Sequence, residues 1–284
     1  MAPVSNFVRP STPPKYFGID VDGTFYAKEA AAFDKNRKAF RKLVEAGYKP
    51  FLCTGRPLFS VQAMLGDLNK DGIYTGLPGV YQNGACVYDE SGKLISVTPH
   101  KKSFIREVCD AAKQHGLEHL VVFFSATNLY GLAEESTCWR HLVKLWNMDW
   151  PLKVASVDEI VDADILEMLV ADYTRLQVHL TSEEGVDFVA KQGACGLCDL
   201  SPPGITKVIG LRSLMQHAGA TTKDCCYIGD GTNDMEAMEA VDLSFAVGNA
   251  IDSVKASAKY VVEETYEEAA FAKVVSLVYD IDVE

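Results

Sequence analysis

Tyr16-Phe17-Gly18-Ile19-Asp20-Val21-Asp22-Gly23-Thr24 is the stretch that decides how this 284-residue chain is read. An apolar run gives way to two carboxylates one residue apart and then to Gly-Thr, so a strand ends and a turn begins. In an open α/β sheet, that carboxyl end of a strand is where ligands bind. Three later stretches repeat the arrangement or answer it: Thr54-Gly55-Arg56 after the apolar run from Pro50, Lys207 at the start of an amphipathic segment, and Gly229-Asp230-Gly231-Thr232-Asn233-Asp234 after Cys225 to Ile228. A lone Asp-x-Asp or Gly-Asp-Gly usually marks a solvated turn. All four in this order, each at the end of an expected strand or the start of an expected helix, point to one site.

The residue types suit phosphoryl transfer. Alternation continued past Ile19 predicts Asp20 and Asp22 on the same side of the strand. Asp20 can attack phosphorus and become an aspartyl phosphate. Asp22 can protonate the leaving alcohol and later take a proton from the attacking water, which requires the two carboxyl pKa values to be pushed apart. Mg²⁺ prefers one or two carboxylates with waters and phosphate oxygens, so Asp20 and Asp230 are candidate ligands, with the Asp22 region supplying a backbone carbonyl. Thr54 can donate its hydroxyl to a phosphoryl oxygen, and Lys207 can pair with Asp20 and the phosphate. Gly55 allows close backbone approach, Arg56 is a candidate substrate contact, and Asn233 and Asp234 can orient Asp230 or Lys207 from behind.

These residues resemble the four signature motifs of the haloacid-dehalogenase-like (HAD) superfamily. Tyr81-Gln82-Asn83-Gly84-Ala85 is similar to the segment by which the Cof-type branch leaves its core for a large C2-type cap. Pro203-Gly204-Ile205-Thr206-Lys207 and Ala246-Val247-Gly248-Asn249-Ala250 resemble two further stretches of that branch. The resemblance implies a Mg²⁺-dependent hydrolase of small phosphate monoesters, often sugar phosphates. Asp20 would be nucleophile and Asp22 acid and base; Thr54, with Gly55, Arg56 and Asn233, would bind phosphate or substrate. Lys207 would neutralise charge, and Asp230 would hold the metal with Asp234 nearby. Pro202 and Pro203 stiffen the approach to Lys207 relative to that pattern. A sugar phosphomutase on the same scaffold, or a non-catalytic protein that binds a phosphometabolite, are the competing readings.

The rest of the chain is consistent with an α/β architecture. Strand and helix patterns alternate: a helix over 35–46 capped by Asp34, a second strand over 50–54, a helix over 57–68, a short strand over 80–82, a helix from Lys207 to about Ala218, strands over 225–228 and 243–247, and a closing helix over 267–279. Such alternation predicts a doubly wound, Rossmann-like parallel sheet. About 150 residues separate Arg56 from Lys207, far more than two βα units need, so residues 85–199 are expected to form a smaller inserted α/β domain, with a hairpin turn at Asp89-Glu90-Ser91-Gly92. The core would then comprise residues 15–84 and 200–284. The resemblance implies that the inserted domain is a cap closing over the site and selecting substrate. Residues 1–14, rich in proline, are expected to be a flexible tail.

A net charge of −12 argues against nucleic acid or an anionic membrane as partner. No apolar stretch approaches ~20 residues and no signal-peptide pattern opens the chain, so a cytoplasmic location is expected. Eight cysteines include a Cys195-x-x-Cys198 pair, but no second pair has zinc-ribbon spacing, and buried thiols are the expected state. Asn128, Tyr130, Trp139 and His141 could face a sugar, although packing or solvation explains each more simply. Trp139, Trp146 and Trp150 are expected to pack the inserted domain.

Overall fold

The computed structural model describes residues 2–146, 150–193 and 196–283. They form two compact units, one of Met1–Arg56, Met64–Ser96 and Thr206–Glu284, the other of Pro57–Ala63 and Val97–Ile205.

In the first unit the apolar runs pair into a nine-stranded sheet among the described residues, in the order Ala2–Pro3, Tyr260–Val261, Leu243–Ala246, Cys225–Gly229, Tyr16–Ile19, Lys49–Cys53, Gly79–Tyr81, Cys86–Tyr88 and Leu94–Val97. Pairing is parallel from Ala2–Pro3 to Gly79–Tyr81 and antiparallel between Gly79–Tyr81 and Cys86–Tyr88. Inside the edge strand Ala2–Pro3, chain order runs outward from Tyr16–Ile19 in both directions, so this strand is the topological switch point where such sheets bind ligands. Helices cover both faces. Under helices Ala30–Glu45 and Ala270–Tyr279, Phe17 and Phe25 each stand 5.4 Å from the Phe271 ring, and Phe40 stands 5.8 Å from Phe25. Helix Lys207–His217 buries Val208 and Leu211 with Phe51, Val80 and Tyr227 of the opposite face. Each such buried ring or aliphatic chain contributes about 2–3 kcal/mol relative to exposure. The doubly wound α/β reading holds, and no helix among the described residues is long and apolar enough to cross a membrane.

Several boundaries differ from expectation, each for a tertiary reason. Residues 2–14 are docked. Ala2–Pro3 joins the sheet edge beside Tyr260–Val261, the Phe7 ring meets Phe245 and Tyr260 at 5.6 and 5.1 Å, and Arg9 pairs with Asp280 at 2.6 Å. The helix expected over 35–46 starts at Ala30, because the distant Glu267 carboxylate accepts the Lys28 and Glu29 backbone N–H groups at 3.3 and 2.9 Å. Asp34, expected to cap it, pairs with Arg37 inside the helix instead. The helix expected over 57–68 breaks into Leu58–Met64 and Asp67–Lys70 at Gly66, where φ is +57°. The closing helix begins at Ala270, since Ala269 at φ +61° separates it from a turn over Tyr266–Glu268.

Among its described residues the second unit has a six-stranded sheet in the order Val189–Gln192, Cys198–Ser201, Glu167–Val170, Val121–Phe124, Leu129–Gly131 and Lys153–Val154. Its range differs from the expected 85–199 chiefly because Cys86–Tyr88 and Leu94–Val97, joined through the Asp89 turn, extend the first sheet. There Asp89 Oδ1 accepts from the Ser91 and Lys93 backbone N–H groups at 2.9 and 3.0 Å. One face packs helices Lys102–His115 and Val157–Asp162 over Phe104, Val108, Phe123 and Met168. On the other, Trp139, Trp146 and Trp150 cluster with Phe124 and with Phe59 of helix Leu58–Met64, and Trp139 Nε1 donates to the Trp150 carbonyl at 2.6 Å. Tyr130 is buried in the unit's core, while Asn128 and His141 are exposed.

His100 donates from Nε2 to the Leu200 carbonyl at 3.0 Å, and burial lowers its pKa to about 4. Because the folded-state value lies below the ordinary 6.5, the unfolded chain binds the proton first. Stability from this site is therefore full above pH 6.5 and falls as pH drops toward 4, by about 3 kcal/mol in all. Urea midpoints measured across that window are expected to fall more steeply for the wild type than for His100→Gln, which keeps a donor but cannot titrate.

Candidate active site

Parallel register sets three chain ends side by side. Ile19 pairs with Ile228 on one side and with Leu52 on the other, so Asp20, Thr54 and Asp230 leave adjacent strands at the same edge. The Asp20 backbone N–H donates to the Ile228 carbonyl at 3.0 Å and the Thr54 N–H to the Val80 carbonyl at 2.9 Å. Strand geometry stops at Ile19. The Val21 carbonyl then collects the N–H groups of Thr24, Phe25 and Tyr26, which folds the chain into a turn. The simple alternation expected to set Asp22 relative to Asp20 therefore does not extend that far.

Asp20, Asp230 and Asp234 each offer a carboxylate oxygen within 4.8 Å of the others. Lys207, 1 % exposed, donates to Asp20 Oδ1 at 2.5 Å and to Asp234 Oδ1 at 2.7 Å. Asp234 is fully engaged. It also accepts from the Tyr227 hydroxyl at 2.7 Å and from the Asp230 and Gly231 backbone N–H groups at 3.1 and 2.9 Å. That spends its lone pairs on holding the array together and leaves Asp20 and Asp230 as the carboxylates better placed to take a cation. Gly23 has φ +80°, and a Cβ there would lie 2.3 Å from Asp230 Oδ2, so only glycine fits the turn.

The electrostatics follow from crowding. Burial first, and then the neighbouring Asp234, push the Asp20 carboxyl well above the usual carboxylate range, with Lys207 pulling against them. The same two causes push Asp230 up to about 6. Burial works against the Lys207 ammonium, but Asp20 and Asp234 outweigh it and its pKa rises. Two buried carboxylates and a half-buried one, Asp230, around the Lys207 ammonium make a site short of positive charge. A hard divalent cation bound by oxygen ligands fits that donor set.

The chain matches the family model described as haloacid dehalogenase-like hydrolase over residues 17–275. The chain belongs to this family. Among its relatives is the chloroplastic endoribonuclease YBEY of Arabidopsis thaliana, 27 % identical over 255 residues, which covers 86 % of this chain but only 43 % of that protein. The 5-amino-6-(5-phospho-D-ribitylamino)uracil phosphatase YwtE of Bacillus subtilis is 24 % identical over 276 residues, 89 % of this chain and 94 % of that one. A solved HAD/COF-like hydrolase from Plasmodium vivax shares the fold with a TM-score of 0.83 at 23 % identity, over 96 % of this chain and 98 % of the other.

Three residues of this haloacid dehalogenase-like hydrolase that sequence reasoning did not single out hold its acidic array. Thr24 Oγ1 donates to Asp230 Oδ1 at 3.2 Å, and Asn249 Nδ2 donates to Asp230 Oδ2 at 3.2 Å and to the Gly23 carbonyl at 3.0 Å. Tyr227 buttresses Asp234 from within its strand. Thr24 and Asn249 fall in stretches already quoted for their family pattern, but nothing in the spacing says that both aim at Asp230. The Thr54 hydroxyl, 1 % exposed, accepts from the Arg56 backbone N–H at 3.1 Å, so its proton points elsewhere. Asn233 donates to Asn83 Oδ1 at 2.9 Å, and Gly55 lies against the Asn83 carboxamide.

Arg56, expected as a substrate contact, is turned onto Asp22. Its buried guanidinium donates from Nε to Asp22 Oδ2 at 2.7 Å and from a terminal nitrogen to Oδ1 at 2.5 Å, a bidentate fork on a half-exposed carboxylate, with Tyr26 beneath it at 5.6 Å. The fork holds the Asp22 carboxylate in one orientation. A lysine cannot reproduce the fork. Arg56→Lys is expected to lower kcat about 10- to 100-fold on a small aryl phosphate, with KM less affected, as steady-state kinetics would show.

The described cysteines are buried free thiols. Burial raises Cys198 to about 11, while Cys195 lies outside the described residues.

Proposed function

We propose that this chain is a Mg²⁺-dependent phosphatase of small phosphate monoesters, sugar and polyol phosphates among them, in the cytosol. The observation that carries the reading is the buried Asp20–Lys207–Asp234 array with Asp230 beside it, at the switch point of the sheet. The name of the YwtE relative, a phosphatase of a phosphoribityl compound, supports the substrate class. Asp20, Asp230 and the Asp22 carbonyl would hold Mg²⁺, which when bound offsets negative charge on the carboxylates and the phosphoryl oxygens.

The side chains divide the work. Lys207 holds Asp20 Oδ1, leaving Oδ2 to attack phosphorus and form an aspartyl phosphate. Asp22, aimed by Arg56, gives its proton to the leaving alkoxide and takes one from the water that hydrolyses the acyl phosphate. Thr54 donates to a phosphoryl oxygen, and Gly55 lets the backbone close on it. The inserted second unit is assigned substrate selection.

The test is a panel of sugar, polyol and aryl phosphates, assayed for released phosphate with Mg²⁺ and with a chelator. Release that needs Mg²⁺ is expected. An isomerised sugar phosphate without release would replace the reading with a mutase, and phosphate binding without turnover of any member would replace it with a sensor.

A further inference from the structure

Next to the site, residues 82–84 take three consecutive positive φ angles: Gln82 at 49°, Asn83 at 55° and Gly84 at 99°. Two non-glycine residues in succession in the left-handed region are costly, and such backbone persists only where its surroundings over-determine it. Here the surroundings are the site's own loops. The Gln82 N–H donates to the Arg56 carbonyl at 3.2 Å and the Asn83 N–H to the Thr54 carbonyl at 3.1 Å. Gly84 sits so close to the segment carrying Lys207 that a Cβ on it would lie 2.4 Å from the Thr206 carbonyl oxygen. Gln82 adds no compensation at its amide nitrogen, which is buried without a hydrogen-bond partner among the described residues. The left-handed turn therefore serves what Asn83 does with its side chain.

That side chain links two strand ends that no direct ladder joins. The strands that lead to Thr54 and to Asp230 are not neighbours; the Tyr16–Ile19 strand lies between them. The Asn83 carboxamide reaches across. Its Oδ1 accepts from Asn233 Nδ2 at 2.9 Å, and a Cβ on Gly55 would stand 3.2 Å from its Nδ2. We propose that Asn83 is a positioning residue of the phosphoryl site, tying the Thr54–Gly55 loop to Asn233 and so fixing the phosphate-binding hydroxyl relative to the Asp230 carboxylate. The proposal rests on the phosphatase reading given above. Misplacement of a reacting group by about 1 Å costs on the order of 100-fold in rate, so the link matters to turnover more than to folding.

Asn83→Gly separates the two roles, because glycine adopts this backbone freely and loses only the carboxamide. Its thermal midpoint is expected to match or exceed that of the wild type. Its kcat on an aryl phosphate with Mg²⁺ is expected to fall about 10- to 100-fold, with KM changed less. Asn233→Ala is expected to show a similar loss, and the double variant no more than the larger single loss, because one link is broken once. Wild-type kcat in Asn83→Gly, or losses that multiply in the double variant, would overturn the proposal.

A wild type that releases no phosphate would defeat the phosphatase reading. Calorimetric binding of inorganic phosphate then decides the inference alone: affinity about tenfold weaker in Asn83→Gly upholds it, and equal affinity overturns it.

Discussion

Asp20→Asn is expected to reduce Mg²⁺-dependent phosphate release by about 10⁴-fold or more while leaving the fold at least as stable as the wild type. The activity loss follows from the role: an amide oxygen cannot form the aspartyl phosphate. The stability result follows from the environment. Asp20 is buried beside Asp234 and Asp230, and its pKa is raised. A carboxyl raised in the folded state costs stability wherever it must ionise, which at neutral pH it does in the unfolded chain. Removing that charge is therefore expected to keep or raise the thermal midpoint in the presence of chelator. Mg²⁺ should stabilise the wild type more than the variant, because a ligand that binds only the folded state stabilises in proportion to its affinity. Thermal midpoints with Mg²⁺ and with chelator, run on both proteins, check the pair of statements.

Lys207→Met is expected to remove activity and to destabilise the protein by about 3–5 kcal/mol, the range seen when one partner of a buried ion pair is deleted. Lys207 is 1 % exposed, so solvent does not moderate the loss. Asp20 and Asp234 would be left facing one another without the ammonium that both accept from. Met retains most of the chain's apolar stem, so the loss reports charge and not volume. Combining Lys207→Met with Asp234→Asn is expected to recover much of the stability and none of the activity. Urea unfolding of the two variants separates these outcomes from a simple packing defect.

The parts of the fold legible in the sequence were those written in short-range chemistry. Apolar runs ending on Asp20, Thr54 and Asp230 located three adjacent strand ends, and the helix expected from Lys207 to about Ala218 runs to His217, with Gly219 at φ +68° just past its end. Long-range partners set what was missed. Ala30 starts a helix because Glu267 caps it from 238 residues away. Residues 2–14 read as a polar, proline-rich tail, yet Phe7 finds the ring edges of Phe245 and Tyr260.

The candidate site divides in the same way. Asp20, Asp230, Asp234 and Lys207 could be named from motif spacing, and the structure gathers them into one array. The fork of Arg56 on Asp22 and the hold of Thr24 and Asn249 on Asp230 could not be read there, because each depends on where a turn points its side chain.

The central claim is that Asp20 carries the phosphoryl group. It is tested most directly by acid-quenching the wild-type protein within the first turnover of a rapidly cleaved phosphate ester and mapping its peptides by mass. A phosphorylated peptide containing Asp20, absent from Asp20→Asn, is the predicted result. Full phosphate release with no acyl phosphate at any quench time, and with activity surviving in Asp20→Asn, would contradict it.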